Sequence, residues 1–421
     1  MTVDSAASDA TIRSAGHAMS SPSSQQSQLE ATAVDNFREY LKIPTVQPNV
    51  NYDDCVAFLR KQAKSLDLPL KIYHIHPDKP IVIITWEGTE PSLPAILLNS
   101  HTDVVPVFPD QWTYPPFSAH MDDKGDIYAR GSQDMKCVGI QYLEAIRRLK
   151  LNGENFRRTI HLSFVPDEEI GGVLAMQDFV HTKDFQSLNL GFALDEGIAS
   201  PTNDFFLYNG ERSLWHLWVH CPGNPGHGSL MLDNTAGEKV RYIIDKFMDF
   251  RAKEKKKLED PKVKLGDVTS VNLTKLQGGI QTNVIPDQLT AVFDIRIATD
   301  VDEEEFEKMV LGWCKEAGSD VHINFEQKNE LVENTKIDNT NPFWIAFKEA
   351  ADKLGVNLDV GIFPGATDSR YVRSVGIPAL GFSPMNNTPI LLHDHDEFLN
   401  KDVFLRGIEI YEKLIPAVAN A

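Results

Sequence analysis

The feature that most restricts the possible folds of this chain is an apolar strand followed by three carboxylate side chains. Residues 160–165 have the composition of a buried strand, and Asp167, Glu168 and Glu169 follow it closely. A carboxylate is costly to bury unless it is paired or bound to a cation. A surface glutamate pair at a turn is the alternative interpretation of this segment alone. That alternative loses weight because other predicted strands end in the same way.

Four further predicted strands are followed by histidine or carboxylate side chains. These are His101 and Asp103 after residues 95–100, Asp134 after 127–130, Glu196 after 190–194 and His393 beyond 377–382. In open α/β sheets, residues at the carboxyl ends of the strands build the site. We therefore predict a dinuclear zinc centre, with Glu168 as a general base and the other residues as ligands.

The order of predicted elements divides the chain into two kinds of structure. Strands and helices alternate up to about residue 206, which favours a mostly parallel sheet covered by helices on both faces. Between residues 211 and 328 the order becomes β-α-β-β-α-β, typical of a self-contained α+β unit. The predicted fold class is α/β: a zinc-binding catalytic domain of residues 29–210 and 329–421, with an inserted ferredoxin-like lid and dimerisation domain of residues 211–328.

Composition sets limits on the partners and the location of the protein. Residues 1–28 are rich in Ser, Ala and Gln and nearly free of large apolar side chains, so we predict a disordered extension there. The formal net charge of −19 argues against nucleic acid and anionic membranes as partners. The four cysteines show no paired spacing, and no apolar stretch is long enough to cross a bilayer. We expect a cytoplasmic protein.

Two of the predicted site segments have ordinary structural alternatives. If the strand continued through His101 and Asp103, both side chains would lie on one face. Asp103 would then hydrogen-bond the ring nitrogen of His101 that faces away from a metal and fix its tautomer. A helix N-cap or a turn motif is the alternative. Asp134 precedes a helix predicted at residues 136–149, where a helix cap is an ordinary role. We favour a carboxylate that bridges two cations, because His101 and Glu169 are present in the same chain.

Glu168 and Glu169 are expected to differ in role, because adjacent side chains point apart. One can bind a metal while the other takes a proton from the metal-activated water and passes it to a leaving amine. The acidic loop at residues 393–397 offers two imidazoles, His393 and His395, with a hydrated surface loop as the alternative interpretation.

Four segments resemble the family of dinuclear zinc amidohydrolases that contains aminoacylase I, succinyl-diaminopimelate desuccinylase and the carnosinases. They are residues 98–106, the segment around Asp134, residues 164–169 and residues 391–397. The resemblance extends from about residue 33 to 416. It implies two zinc ions per subunit, with Glu168 as acid and base, held by two groups that share one residue: His101, Asp134 and Glu196, and Asp134, Glu169 and His393. His393 is preferred to His395 because its spacing to Glu397 matches the family's His-x-x-x-Glu pattern.

Five other residues resemble lid and substrate-binding positions of that family: His227, Asn283, Arg296, Thr367 and Arg370. An uncharged imidazole and an amide can stabilise a developing oxyanion, and an arginine can grip a carboxylate with two hydrogen bonds. The segment at residues 365–370 opens a predicted helix and can present backbone N–H groups to an anion. Simple exposure or a surface ion pair is the alternative for each of these side chains.

The resemblance implies hydrolysis of N-acyl-L-amino acids to a carboxylate and a free L-amino acid, by a homodimer joined through its lid domains. A dipeptidase or carboxypeptidase would need the same metal centre with a different acyl pocket. A non-catalytic binding protein would be expected to have lost the base or a metal ligand. None of these residues is missing from the sequence.

Overall fold

A computed structural model describes residues 22–421 of the chain. Nine α-helices occur within this range. In chain order they are α1 (Pro22–Leu41), α2 (Asp53–Ser65), α3 (Lys136–Leu151), α4 (Lys183–Gln186), α5 (Ala236–Lys257), α6 (Glu303–Ala317), α7 (Pro342–Lys353), α8 (Ser369–Ser374) and α9 (Lys401–Ala419). None of these helices is long and apolar enough to cross a membrane.

The strands of the same range form four sheets. In chain order they are β1 (Leu70–His76), β2 (Lys79–Trp86), β3 (Ala95–His101), β4 (His120–Met121), β5 (Asp126–Tyr128), β6 (Ile160–Val165), β7 (Leu190–Asp195), β8 (Phe205–Glu211), β9 (Ser213–Pro222), β10 (Gly226–His227), β11 (Ser270–Gly278), β12 (Val284–Ile285), β13 (Gln288–Ile297), β14 (His322–Lys328), β15 (Leu358–Phe363), β16 (Ala379–Phe382) and β17 (Phe398–Asn400).

The largest sheet has eight strands in the order β1-β2-β6-β3-β7-β16-β8-β15. Four neighbouring pairs are parallel, and three are antiparallel. Every residue of the central strand β3 is buried, because its side chains alternate between two apolar clusters. Ile96 and Leu98 pack towards α1, α3 and α9, whereas Leu97 packs on the other face with Phe179 and Tyr371. The α/β prediction with helices on both faces is confirmed.

Three parallel neighbours of this sheet bring their polar ends together. β6, β3 and β7 run in the same direction, so their carboxyl ends meet at one edge of the sheet. His101 is the last residue of β3, Asp195 is the last residue of β7, and the Glu168–Glu169 pair follows β6. The edge therefore collects imidazole and carboxylate groups from positions far apart in sequence.

The inserted unit is an antiparallel sheet in the order β11-β13-β9-β14. Helices α5 and α6 supply the predicted β-α-β-β-α-β connection, and they share an apolar core with the sheet. In that core the ring of Phe247 from α5 stacks on Phe293 from β13 at a centroid distance of 3.9 Å. The strands of this lid unit lie between Ser213 and Lys328. The domain boundaries at 211 and 328 stay predictions.

The N-terminal prediction needs a correction. Helix α1 begins at Pro22, so residues 22–28 are helical, whereas the predicted disordered extension reached residue 28. Residues 1–21 lie outside the described residues. Residues 25–28 are exposed, but they belong to a helix that Phe37 and Tyr40 anchor in the core. Extending an anchored helix adds a hydrogen bond per residue without a new nucleus, which composition alone does not reveal.

Candidate metal centre

His101 lies at the centre of a first group of candidate ligands. Its Nε2 atom lies 2.8 Å from Asp134 Oδ1 and 3.6 Å from Glu196 Oε2. All three residues are buried, and their ligand atoms lie within 4.8 Å of one another. One imidazole and two carboxylates are common ligands of zinc and related divalent ions.

Asp134 also belongs to a second group, with Glu169 and His393. Its Oδ2 atom lies 3.4 Å from Nε2 of His393, and that nitrogen lies 3.1 Å from Glu169 Oε2. The two oxygens of one carboxylate therefore face two different groups. Asp134 caps no helix, because α3 begins after Met135 and has no side-chain cap. One carboxylate oxygen is thus available to each of the two groups.

The electrostatics of these groups favour positive charge between them. Burial, reinforced by the charge of Asp134, raises the pKa of Glu169 to about 7 and places the pKa of Glu196 well above its usual range. Hydrogen bonds to Asp134 and Glu169 raise the pKa of His393 to about 10. The Oε1 atom of Glu169 is buried without a hydrogen-bond partner. Buried carboxylates of this kind fit cation binding, because a bound ion would neutralise them.

Glu168 belongs to neither group among the described residues. It begins a short 3₁₀ turn, Glu168–Ile170, and its backbone N–H donates to Asp103 Oδ1 at 3.1 Å. Burial, followed by the charge of Glu196, raises the pKa of its carboxyl well above the usual range. The structure thus brings Glu169 to the metal groups and leaves the Glu168 carboxylate beside them.

The predicted contact from Asp103 to His101 is wrong in detail. His101 Nδ1 lies 3.0 Å from the main-chain oxygen of Asp103, but 3.6 Å from its carboxylate. Strand β3 ends at His101, so residues 101 and 103 do not share a strand face and the turn presents a carbonyl instead. The Asp103 carboxylate accepts the N–H groups of Glu168 and Glu169, each at 3.1 Å.

Two buried carboxylates that the sequence did not assign hold the ligands in place. Glu397 is fully buried and accepts hydrogen bonds from the loop that carries Asp134: from Arg130 Nη1 at 2.7 Å and from the backbone N–H groups of Gly131 and Gln133 at 3.1 and 2.6 Å. Asp195 accepts the backbone N–H of Glu196 at 2.9 Å. The His-x-x-x-Glu pattern includes Glu397, but it does not predict which groups donate hydrogen bonds to its carboxylate.

Two of the predicted lid residues, His227 and Asn283, are exposed, whereas Arg296 is half-buried in strand β13. His227 and Asn283 are neighbours across the short β10–β12 pair, where the Gly228 N–H donates to the Asn283 carbonyl at 2.7 Å. Both side chains are exposed, and among the described residues neither belongs to a metal group. Arg296 forms an ion pair with Asp294 at 2.9 Å and lines a cavity of about 500 Å³ that reaches Gly365.

Thr367 and Arg370 lie near the sheet edge, and both already form hydrogen bonds within the chain. The Thr367 N–H donates to Glu211, and Arg370 Nη2 donates to the Gly171 carbonyl at 2.9 Å. Arg370 keeps a buried Nε–H without a partner. The prediction that this segment presents free N–H groups to an anion is therefore not met at Thr367, whereas Arg370 retains one unused donor.

Comparison with known proteins agrees with this geometry. The sequence matches Peptidase family M20/M25/M40 over residues 97–417. Aminoacylase-1 of Mus musculus is 52% identical, over 93% of this chain and 96% of that protein. The crystal structure of an M20 family metallo-carboxypeptidase from Sulfolobus solfataricus is 19% identical, with a TM-score of 0.73 over 92% of this chain and 99% of that one.

A second solved structure, the YXEP protein of Bacillus subtilis, is described as a dinuclear metal binding peptidase. It is 17% identical, with a TM-score of 0.66 over 93% of this chain and 98% of that one. At these identities the two crystal structures speak for the fold. The family match over most of the chain, the close relative and the two ligand groups lead to one conclusion: the chain belongs to Peptidase family M20/M25/M40 and is a metal-dependent hydrolase.

Proposed function

We propose that this enzyme hydrolyses N-acyl-L-amino acids to a carboxylate and a free L-amino acid. The observation that carries the proposal is the pair of ligand groups joined by Asp134, with the Glu168 carboxylate beside them. The choice of substrate comes from the relative that is 52% identical over 93% of the chain. The dipeptidase and carboxypeptidase alternatives rest on a carboxypeptidase that is 36% identical over 39% of this chain, and on structures below 25% identity, which speak for the fold.

We infer that the metal is zinc, with two ions per subunit. His101, Asp134 and Glu196 would hold one ion, and Asp134, Glu169 and His393 the other. When bound, zinc polarises an amide carbonyl and lowers the pKa of water. Glu168 then accepts a proton from the attacking water and delivers it to the amine nitrogen as the C–N bond breaks. Arg296 and Arg370 supply charge for the substrate's carboxylate. A cytoplasmic location stays a prediction from the sequence.

A substrate panel tests the proposal. With zinc-loaded protein, we expect kcat/KM for N-acetyl-L-amino acids to exceed that for dipeptides with the same C-terminal residue by at least about tenfold, a ratio that one or two pocket contacts can supply. N-acetyl-D-amino acids and Glu168→Gln protein serve as controls. Faster hydrolysis of the dipeptides would identify a dipeptidase instead.

We further propose that the lid domains join two subunits. Large apolar side chains surround His227 and Asn283 and are strongly exposed in the single chain: Met231 is fully exposed, Ile280 is 90% exposed, and Leu230 and Leu276 are about half exposed. Exposed apolar clusters of this kind mark protein interfaces. The end of β11 at residues 274–278 is also exposed at an edge of the sheet, and a two-fold contact would cover it.

If the dimer places His227 over the partner's metal centre, two inactive variants should complement each other. Equal amounts of His227→Ala and Glu168→Ala subunits, allowed to exchange, should regain about a quarter of wild-type activity, because half of the dimers are hybrids with one intact site of two. Each variant exchanged with itself is the control. Hybrid dimers seen by native mass spectrometry, with activity no higher than that of the parents, would show that His227 serves its own subunit.

A further inference from the structure

Next to the Glu168 turn lies a buried polar cluster whose side chains have no role in the proposed mechanism. It consists of Gln47, Tyr52, Lys79, Asp103 and Asp167. The side chain of Lys79 is 18% exposed, and the other four residues are each less than 5% exposed. Polar groups in such a place need partners. Most of them are partners of one another here, but Gln47 Oε1 has no hydrogen-bond partner among the described residues and Asp167 Oδ2 has only its ion pair with Lys79.

Gln47 joins the two carboxylates of this cluster. Its Nε2 lies 2.7 Å from Asp103 Oδ2 and 3.0 Å from Asp167 Oδ1. An amide nitrogen carries two hydrogens, so one NH₂ group can serve both acceptors. The backbone of Gln47 is fixed in turn, because its N–H donates to the Val104 carbonyl at 2.9 Å.

The two carboxylates define the turn that begins at Glu168. Asp103 accepts the N–H groups of Glu168 and Glu169. Asp167 has a left-handed φ of +62°, a conformation that needs support from its surroundings. The Tyr52 hydroxyl donates to Asp167 Oδ1 at 2.8 Å, and Lys79 Nζ lies 2.5 Å from Oδ2. Among the described residues, no hydrogen bond fixes the Glu168 carboxylate itself. Its position is therefore set by the backbone of the turn, which Asp103 and Asp167 hold.

We propose that Gln47, with Tyr52 and Lys79, is a positioning residue that holds the Glu168 turn against the metal centre. The role of Glu168 as the base rests on the proposed function; the hold on its backbone does not. A base displaced by about 1 Å can lose about 10²-fold in rate. The cluster therefore governs kcat without touching the substrate.

Gln47→Glu is the sharpest test, because it keeps the shape and replaces the donor NH₂ with an oxygen that faces two carboxylates. We expect kcat to fall by about 10²-fold, with KM within about threefold and bound metal unchanged. Gln62→Glu is the matched control, since Gln62 is also buried and its amide donates to Asn36 at 3.0 Å. A kcat equal to that of the control, or a loss of metal in step with activity, would overturn the proposal.

Lys79 provides a second test at a side chain that is itself partly exposed. Lys79→Met should lower kcat by about tenfold, the usual scale for losing a hydrogen bond to a charged group, and Lys79→Arg should restore most of it. The control is Lys71→Met on β1, which removes an exposed ion pair with Asp184 of α4 and should leave kcat unchanged. Equal losses in Lys79→Met and Lys71→Met would contradict a positioning role.

Amide hydrogen exchange separates this proposal from the proposed function, because it needs no substrate. In metal-loaded Gln47→Glu protein, a peptide covering residues 166–170 should exchange at least about tenfold faster than in wild type, whereas Gln62→Glu should match wild type. Unchanged exchange would overturn the positioning role. If the wild-type protein failed to hydrolyse N-acyl amino acids, the proposed function would fall and the exchange result would still decide this point.

Discussion

Replacing Glu168 by glutamine is expected to lower kcat by about 10²–10⁴-fold, the range for a missing general acid and base, while bound metal stays at the wild-type amount. The substitution keeps the side-chain shape and removes the group that carries the proton. Because Glu168 belongs to neither ligand group, its loss should not release a cation. The measurement is kcat on an N-acetyl-L-amino acid together with elemental analysis of the same sample.

Two other glutamate-to-glutamine variants serve as controls for this result. Glu169→Gln changes a member of the second ligand group and should lose metal together with activity. Glu144→Gln changes another buried glutamate, which accepts a hydrogen bond from Asn36 at 2.7 Å far from the ligand groups, and should keep both. Metal loss in Glu168→Gln that matched its loss of activity would mean that the roles of Glu168 and Glu169 are exchanged.

Asp134→Ala is expected to deplete both metals, because each oxygen of this carboxylate faces a different ligand group. His101→Ala and His393→Ala should each deplete mainly one. An ion that binds the folded state and not the unfolded chain stabilises the fold by an amount that grows with the ratio of ion concentration to Kd. Added zinc should therefore raise the Tm of the wild-type apoprotein and leave that of Asp134→Ala nearly unchanged. Two ions retained by folded Asp134→Ala protein would remove the bridge from the proposed centre.

The sequence predicts which polar side chains meet at the carboxyl edge of the large sheet, because local patterns mark where each buried strand ends. Residues 160–165 and 95–100 are rich in apolar side chains, and histidine and carboxylate side chains follow each of them. A mostly parallel sheet then brings these ends together without further information. This explains how ligand candidates as distant as His101 and Glu196 were proposed from strand ends.

Other parts of the site depend on contacts that no local pattern encodes. Gln47 lies in a loop and meets Asp167 across 120 positions. The Asp103 prediction was wrong because it assumed that β3 continued past His101, and strand ends are the least regular part of a strand pattern. His227 and Asn283 cannot be placed over a metal centre from a single chain, since the proposed partner supplies that surface.

Glu397 has a consequence for the order in which the protein is made. It lies 263–267 positions after its donors in the loop that carries Asp134. During synthesis at about 5–20 residues per second, that loop waits on the order of tens of seconds for its acceptor, and the second ligand group waits as long for His393. The strands and helices of the lid unit all lie between Ser213 and Lys328 and can fold while the ribosome still holds the last stretch. Metal capture by the second ligand group is therefore a late event in synthesis, and a product that ended before His393 would carry Asp134 and Glu169 without their histidine partner.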